Sequence, residues 1–180
     1  MSEQLDREEA LASGDQRHRD EREARRLALG AVFEADFGQA PAGRILERRL
    51  ADDGATVRAA ELARLIVGAV VRYRDSIDAQ IEEVAPAYPV VQLARMERAL
   101  LRSGMAELLH SPTTPARVAI SEWVELARTY SGDPARRLVN GVLGRVARDA
   151  SAKSSSQQPQ SSAEHRDTET ERNERRGSTE

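Results

Sequence analysis

The side chains best suited to chemistry in this sequence are arginines near its N-terminus. Residues 16–26 contain five arginines, and acidic residues are interleaved among them. Arg22, Arg25 and Arg26 are spaced at i, i+3 and i+4, so a helix would bring them to one face. Arginine binds phosphate oxygens in a bidentate manner, so this face predicts binding of RNA or DNA phosphates. The interleaved acids leave a second interpretation open, a solvated helix start whose charges pair with each other.

Patterns typical of catalysis or metal binding are missing from the sequence. The chain has no cysteine, which excludes disulfides and thiolate sites. Its three histidines, at positions 18, 110 and 165, have no carboxylate at a spacing typical of a metal site. Glycine-rich nucleotide loops and serine-nucleophile motifs are also missing. We therefore expect no enzyme activity, no catalytic residues, no cofactor and no metal site.

The overall composition favours a cytoplasmic protein. The 180 residues carry 27 basic and 30 acidic side chains, which gives a net charge of −3. No apolar run approaches the length of about 18 residues that a transmembrane helix needs. The acidic N-terminus also lacks the apolar segment of a signal peptide. We expect a cytoplasmic chain without membrane contact.

The apolar residues are concentrated in the middle of the chain. Residues 151–180 contain no Val, Ile, Leu, Phe, Trp or Tyr, so this stretch cannot bury enough surface to offset its ordering entropy. Residues 1–16 are similarly dominated by charged and polar side chains. We therefore predict one helical domain over residues 17–150, flanked by disordered tails at residues 1–16 and 151–180.

The apolar spacing within that domain predicts helices throughout and no β-strand. The strongest pattern runs from Leu62 to Ile81, where apolar residues recur three and four positions apart. Thr114-Pro115 and Asp133-Pro134 each combine a helix N-cap with proline at the first helical position. The predicted helices span about 22–37, 43–52, 57–83, 90–109, 115–131 and 134–149. The expected fold is an all-α compact bundle of six helices, or seven if the fourth of these regions forms two.

Glu97 is unusual because it shares a helical stripe with apolar residues, among them Leu93 and Leu100. A carboxylate in such a stripe needs a partner or access to water. It is either a rim residue paired with a nearby arginine or a polar contact for another protein. Glu122 and Asn140 raise the same question further along the chain.

Four blocks of the sequence resemble the NusB family of bacterial transcription antitermination factors. Two lie in the last third of the chain: residues 118–128, VAISEWVELAR, are similar to VAINEAVELAK, and residues 138–143, LVNGVL, are similar to FVNGVL. Residues 97–102, ERALLR, followed by Glu107-Leu108, resemble a family helix that ends in LR and YEL. Residues 25–33, RRLALGAVF, resemble the N-terminal element ARxxALQALY. The blocks occur in the family's order and cover most of residues 22–147.

The resemblance implies an all-helical fold of two helical subdomains without catalysis. It implies binding of the boxA element, a single-stranded segment of nascent rRNA leader RNA. It also implies a partner, the small-subunit ribosomal protein NusE, within the RNA polymerase antitermination complex. Two other functions stay open: an RNA-binding adaptor that acts elsewhere, and a helical protein-interaction scaffold without RNA binding.

The resemblance also assigns site residues. RNA contacts are implied mainly at arginine and aromatic positions: Arg19, Arg22, Arg25, Arg26, Phe33, Arg128, Tyr130 and Leu138. Partner contacts are implied on one helix: Glu97, Arg98 and Leu101. Leu138 stands where the family has an aromatic residue, so one base-stacking surface is missing at that position.

Overall fold

The computed structural model describes residues 2–156, with side chains described for residues 11–152. This part of the chain is helical and contains no strand. It has five α-helices and one 3-10 turn: α1 (Ser2–Ala35), α2 (Ala42–Asp53), α3 (Val57–Val84), the 3-10 turn Val90–Gln92, α4 (Arg95–His110) and α5 (Ala116–Ser156). The predicted all-α class is confirmed, whereas the predicted number of six or seven helices is wrong.

Local signals explain the bounds of α2 and α3. Gly54 follows α2 with φ 62°, a left-handed conformation that ends the helix directly after Asp53. Thr56 caps α3, because its hydroxyl oxygen accepts a hydrogen bond from the Ala59 amide at 3.2 Å. Both helices match their predicted ranges to within one residue at each end.

The helix count differs from the prediction because of a kink in α5. The sequence predicts one helix ending at about residue 131 and another starting at 134. The structure has two helical segments that adjoin at Gly132, a non-helical residue at φ 78° and ψ −168°, and they count together as α5. Only glycine adopts that conformation readily. The predicted region 90–109 does divide, into the 3-10 turn and α4.

The segment before Gln16 is helical in the structure, where the sequence predicts disorder. Side-chain hydrogen bonds four residues apart accompany the helix without a core beneath it: Gln16 donates to Asp20 at 2.8 Å, and Arg17 donates to Ser13 at 3.3 Å. Such local pairs support an isolated helix. Of the predicted C-terminal tail, residues 151–156 continue α5, and residues 157–180 lie outside the described residues.

The contacts divide the chain into two units, residues 1–147 and 148–180. The helical region up to residue 147 belongs to the first of these units. In it, α1 packs against α2, α3 and α4, and α3 also packs against α2 and α4. The described part of the second unit is the end of α5. None of the described helices is both long and apolar enough to cross a membrane.

Candidate nucleic-acid interface

The inner face of α1 carries an arginine in the core. The Arg25 side chain is 0% exposed, and its Nε and Nη2 donate to the Glu107 carboxylate at 2.9 and 2.7 Å. Trp123 Nε1 donates to the same carboxylate at 2.7 Å, so this buried cluster joins α1, α4 and α5. The position contradicts the implied RNA contact of Arg25. Its spacing explains the error, since Arg25 lies three residues before Ala28 and seven before Val32, on the buried stripe.

A cleft of about 440 Å³ opens beside the other side of α1. It brings together three of the predicted RNA-binding residues, Arg26, Phe33 and Tyr130. Tyr130 is 47% exposed, so its ring faces solvent from α5. Phe33 is partly buried and packs edge-on against Phe37, with ring centroids 5.3 Å apart. The cleft thus combines two aromatic rings with the guanidinium of an exposed arginine.

The charges around this cleft are partly neutralised. Glu23 and Asp53 line it together with Arg26 and Arg49. Arg49 is held by Glu34 at 2.9 Å, and hydrogen bonds from Arg48 and Arg49 lower the pKa of the Glu34 carboxyl. Arg26 has no ion pair within the described side chains, whereas Arg49, the other arginine of the cleft, is paired with Glu34.

The remaining predicted arginines lie on exposed helix surface. Arg19 donates to Gln16 at 2.9 Å, and Arg22 lies 3.7 Å from the Glu122 carboxylate. Arg128 donates to Glu125 at 2.6 Å, and this hydrogen bond raises the pKa of the arginine. Each of the three is therefore accessible but already in contact with a polar neighbour.

Leu138 is partly buried and packs against the hydrophobic core. It does not line the cleft that holds Arg26, Phe33 and Tyr130. The position implied for RNA contact therefore serves packing in this structure, next to the buried Val139.

The three predicted partner contacts have different environments on α4. Glu97 is half-buried in the first turn. Arg98 donates to Asp36 and to the carbonyl oxygens of residues 90, 91 and 93, so it holds the 3-10 turn against α4. Leu101 is 0% exposed, which contradicts its implied contact with a partner. It lies on the face of α4 that packs into the core.

The family model described as NusB family matches residues 22–148. This chain belongs to the NusB family. Among curated relatives, the transcription antitermination protein NusB of Dehalococcoides mccartyi is 36% identical over 127 residues, which cover 71% of this chain and 89% of the relative. The NusB of Chloroflexus aggregans is 40% identical over 133 residues, covering 73% of this chain and 86% of that protein.

Solved structures of NusB proteins are similar to this chain. T. maritima NusB has a TM-score of 0.67 and 28% identity, covering 72% of this chain and 91% of that chain. A chain in a crystal structure of antitermination factors NusB and NusE in complex with dsRNA has a TM-score of 0.65 and 27% identity. That match covers 73% of this chain and 98% of that chain.

Sequence reasoning missed a second arginine cluster in this NusB-family chain. Asp36, just after α1, accepts hydrogen bonds from Arg98 and, at 3.4 Å, from Arg102. Arg102 also donates to Asp78 at 2.8 and 2.7 Å. Burial lowers the pKa of Arg102, but the hydrogen bonds and charges of Asp78 and Asp36 outweigh it and raise the pKa overall. Arg102 is 24 positions from Asp78 and 66 positions from Asp36 along the sequence, so no local pattern indicates these contacts.

Two further features of the site were also missed. Phe37 is exposed directly after α1, and the Arg95 guanidinium lies 4.5 Å from its ring centroid. Glu107 is fully buried in α4, where every residue from 99 to 107 is buried. The sequence carries little signal for Glu107, because its neighbours three and four positions away are Ser103, Gly104, His110 and Ser111, none of which is apolar.

Proposed function

We propose that this chain is a transcription antitermination factor that binds boxA RNA of the nascent rRNA leader together with NusE. It acts within the RNA polymerase antitermination complex, and this role implies a cytoplasmic location. The role needs no catalysis, cofactor or metal. Family membership supports the proposal, as do curated relatives of 36% and 40% identity that carry the name transcription antitermination protein. A similar chain crystallised with NusE and dsRNA supports NusE and RNA as the two partners.

The cleft formed by Arg26, Phe33 and Tyr130 carries the RNA-binding part of the proposal. Single-stranded RNA exposes bases that stack on aromatic side chains, while cations contact its phosphates. An exposed tyrosine, a phenylalanine at the cleft wall and an arginine without an ion pair among the described side chains supply both kinds of contact. Arg19, Arg22 and Arg128 extend the cationic surface along α1 and α5.

The partner-binding part centres on the start of α4. Glu97 is half-buried there and makes no hydrogen bond or ion pair within the described side chains. Arg95 and Phe37 form an exposed cation–π pair close by, next to the Asp36 cluster. Exposed aromatic and arginine side chains are frequent anchors in protein interfaces. We therefore assign this surface to NusE.

RNA titration at fixed salt tests the proposal. We expect a fluorescently labelled boxA-like RNA to bind more tightly than a scrambled RNA of the same length, and more tightly again when NusE is present. Tyr130→Ala should weaken binding by about 1–3 kcal/mol, the cost of losing one stacked base. Tyr88→Ala is the matched control, because Tyr88 is equally exposed but does not line the cleft.

The outcomes separate the three candidate functions. Binding without preference for boxA would favour an RNA-binding adaptor, and NusE binding without any RNA binding would favour a protein scaffold. For the partner surface, Glu97→Ala should weaken the NusE complex by about 1–3 kcal/mol, typical of a lost hydrogen bond to a charged group. Glu83→Ala, at an exposed position on α3, should leave that complex unchanged.

A further inference from the structure

Glu122 lies on α5 among three basic side chains of α1. Its carboxylate oxygens are 3.7 Å from Arg22 Nε, 3.7 Å from His18 Nε2 and 3.9 Å from Arg25 Nη1. Hydrogen bonds between nitrogen and oxygen fall near 2.7–3.2 Å, so none of these three contacts is one. The carboxylate is held by charge alone, and its side chain is 18% exposed.

The buried arginine beside Glu122 is incompletely satisfied. Arg25 uses Nε and Nη2 for Glu107, while its Nη1 is buried and has no hydrogen-bond partner. Glu122 is the acid nearest to that nitrogen among the described ion pairs, yet it stays 3.9 Å away. It therefore lies between one inaccessible arginine and one exposed arginine, Arg22, without bonding either.

The neighbouring acid on α5 behaves differently. Glu125 accepts hydrogen bonds from Arg128 at 2.6 and 3.1 Å. Those bonds are the main reason that the pKa of the Glu125 carboxyl is lowered, and the charge of Arg22 adds to the effect. Arg22 thus lies near two carboxylates of α5, one committed to Arg128 and one without a hydrogen bond. Glu122 is therefore the carboxylate that another anion can replace as the partner of Arg22.

We propose that Glu122 is an internal competitor for RNA phosphate. Its carboxylate lies against Arg22 and His18 in the free protein. An RNA phosphodiester carries the same charge and, like a carboxylate, two charged acceptor oxygens, so it can replace Glu122 as the partner of Arg22 and form the hydrogen bond that Glu122 lacks. The competition sets RNA affinity below the maximum that these arginines allow. This inference rests on the proposed RNA-binding function.

Glu122→Gln tests the proposal, with Glu47→Gln as the matched control. Glu47 pairs with Arg64 on the surface, so its substitution makes the same change in net charge away from the cleft. Glu122→Gln should raise RNA affinity about two- to fivefold, as expected for release of one weak ion pair that has no hydrogen bond. The slope of log K against log salt should stay nearly the same, because the phosphate contacts Arg22 in both proteins and only the competing carboxylate is lost. Glu47→Gln should change neither quantity.

Two further variants show whether Arg22 carries the gain. Arg22→Ala in the Glu122→Gln background should remove it, and thermal melting of each variant checks that the bundle is intact. If Glu122→Gln fails to fold, Glu122→Asp keeps the charge, withdraws the carboxylate from Arg22, and should raise affinity in the same direction.

Equal or weaker RNA binding by folded Glu122→Gln or Glu122→Asp overturns the proposal, as does a gain that survives Arg22→Ala. That result leaves the proposed function standing, provided that the unsubstituted chain binds RNA and Tyr130→Ala weakens it. Failure of the unsubstituted chain to bind RNA at any salt concentration overturns both.

Discussion

The inner face of α1 and its cleft face place two consecutive arginines in opposite environments. Arg25 on the inner face is fully buried and bonded to Glu107, whereas Arg26 lies in the cleft with no ion pair among the described side chains. One residue of an α-helix turns the side chain by about 100°, enough to move it from core to solvent. Consecutive arginines in a helix therefore need not share one role. Their positions around the helix axis place one in the core, where it stabilises the fold, and the next on the surface, where it is available for binding.

Substituting each arginine should produce the largest contrast. Arg25→Ala leaves Glu107 as a buried charge with Trp123 alone, which should lower the free energy of unfolding by about 3–5 kcal/mol. Arg26→Ala removes an exposed side chain and should change it by less than about 0.5 kcal/mol. Urea unfolding of both variants measures the difference. Equal losses would break the distinction between the two faces.

A smaller contrast is expected for two helical glycines. A Cβ at Gly104 would lie 2.9 Å from Leu143 Cδ1 and 3.2 Å from Trp123 Cγ, inside the contact between α4 and α5. Gly104→Ala should therefore destabilise the protein by about 1–3 kcal/mol through overpacking. Gly68→Ala, where nothing lies within 4 Å, should stabilise α3 by about 0.5–1 kcal/mol. Thermal melting that shifts both variants in the same direction would contradict the packing of α4 on α5.

Arg26→Ala should have its main effect on RNA rather than on folding. Loss of one phosphate contact should reduce the steepness of the salt dependence by about 0.7 and weaken binding to all sequences. Fluorescence anisotropy over a salt series gives that slope. An unchanged slope would move the phosphate contacts away from the cleft face of α1.

The smallest effect concerns His110, which is neither fully buried nor fully exposed. Its ring stacks on Tyr73 at 4.1 Å between centroids, and burial lowers its pKa below 6.5. The unfolded chain therefore binds this proton more readily, so stability is unaffected above the usual histidine pKa and falls as the pH drops through it. The fall in melting temperature between pH 8 and pH 5.5 should be smaller for His110→Gln than for the unsubstituted chain. An identical fall in melting temperature for both proteins would show that other groups cause the loss of stability at low pH.

Local sequence signals predicted most of the helices. Gly54 and the apolar stripe of α3 act within a few residues, so their consequences are visible in the sequence alone. The helix before Gln16 was missed because it has no apolar stripe, and the side-chain pairs that accompany it, Gln16–Asp20 and Arg17–Ser13, are weak signals. The sequence predicted a loop between two helices near residues 131–134, where the structure has a kink at Gly132. Asp133-Pro134 starts a helix equally well after a kink or after a loop, so the sequence does not distinguish the two.

The site was less predictable than the fold because its contacts join distant positions. Arg25 and Glu107 are 82 residues apart, and Arg102 and Asp36 are 66 apart. Arg26, Phe33 and Tyr130 were named through the resemblance, and their meeting at one cleft depends on how α1 and α5 pack. Their roles in RNA binding stay predictions. Leu101 was assigned to the wrong side of α4, since an apolar stripe alone does not tell a core face from an interface.

Trp123 also makes the buried Arg25 cluster visible to spectroscopy. It is the one tryptophan of the chain, and its indole lies in the core with Nε1 bonded to Glu107. Ultraviolet emission excited at the tryptophan band therefore comes from the junction of α1, α4 and α5 and from nowhere else. Opening of that junction would expose the indole to water and shift its emission to longer wavelength. The protein carries its own optical reporter of the core, separate from the cleft, and needs no added dye.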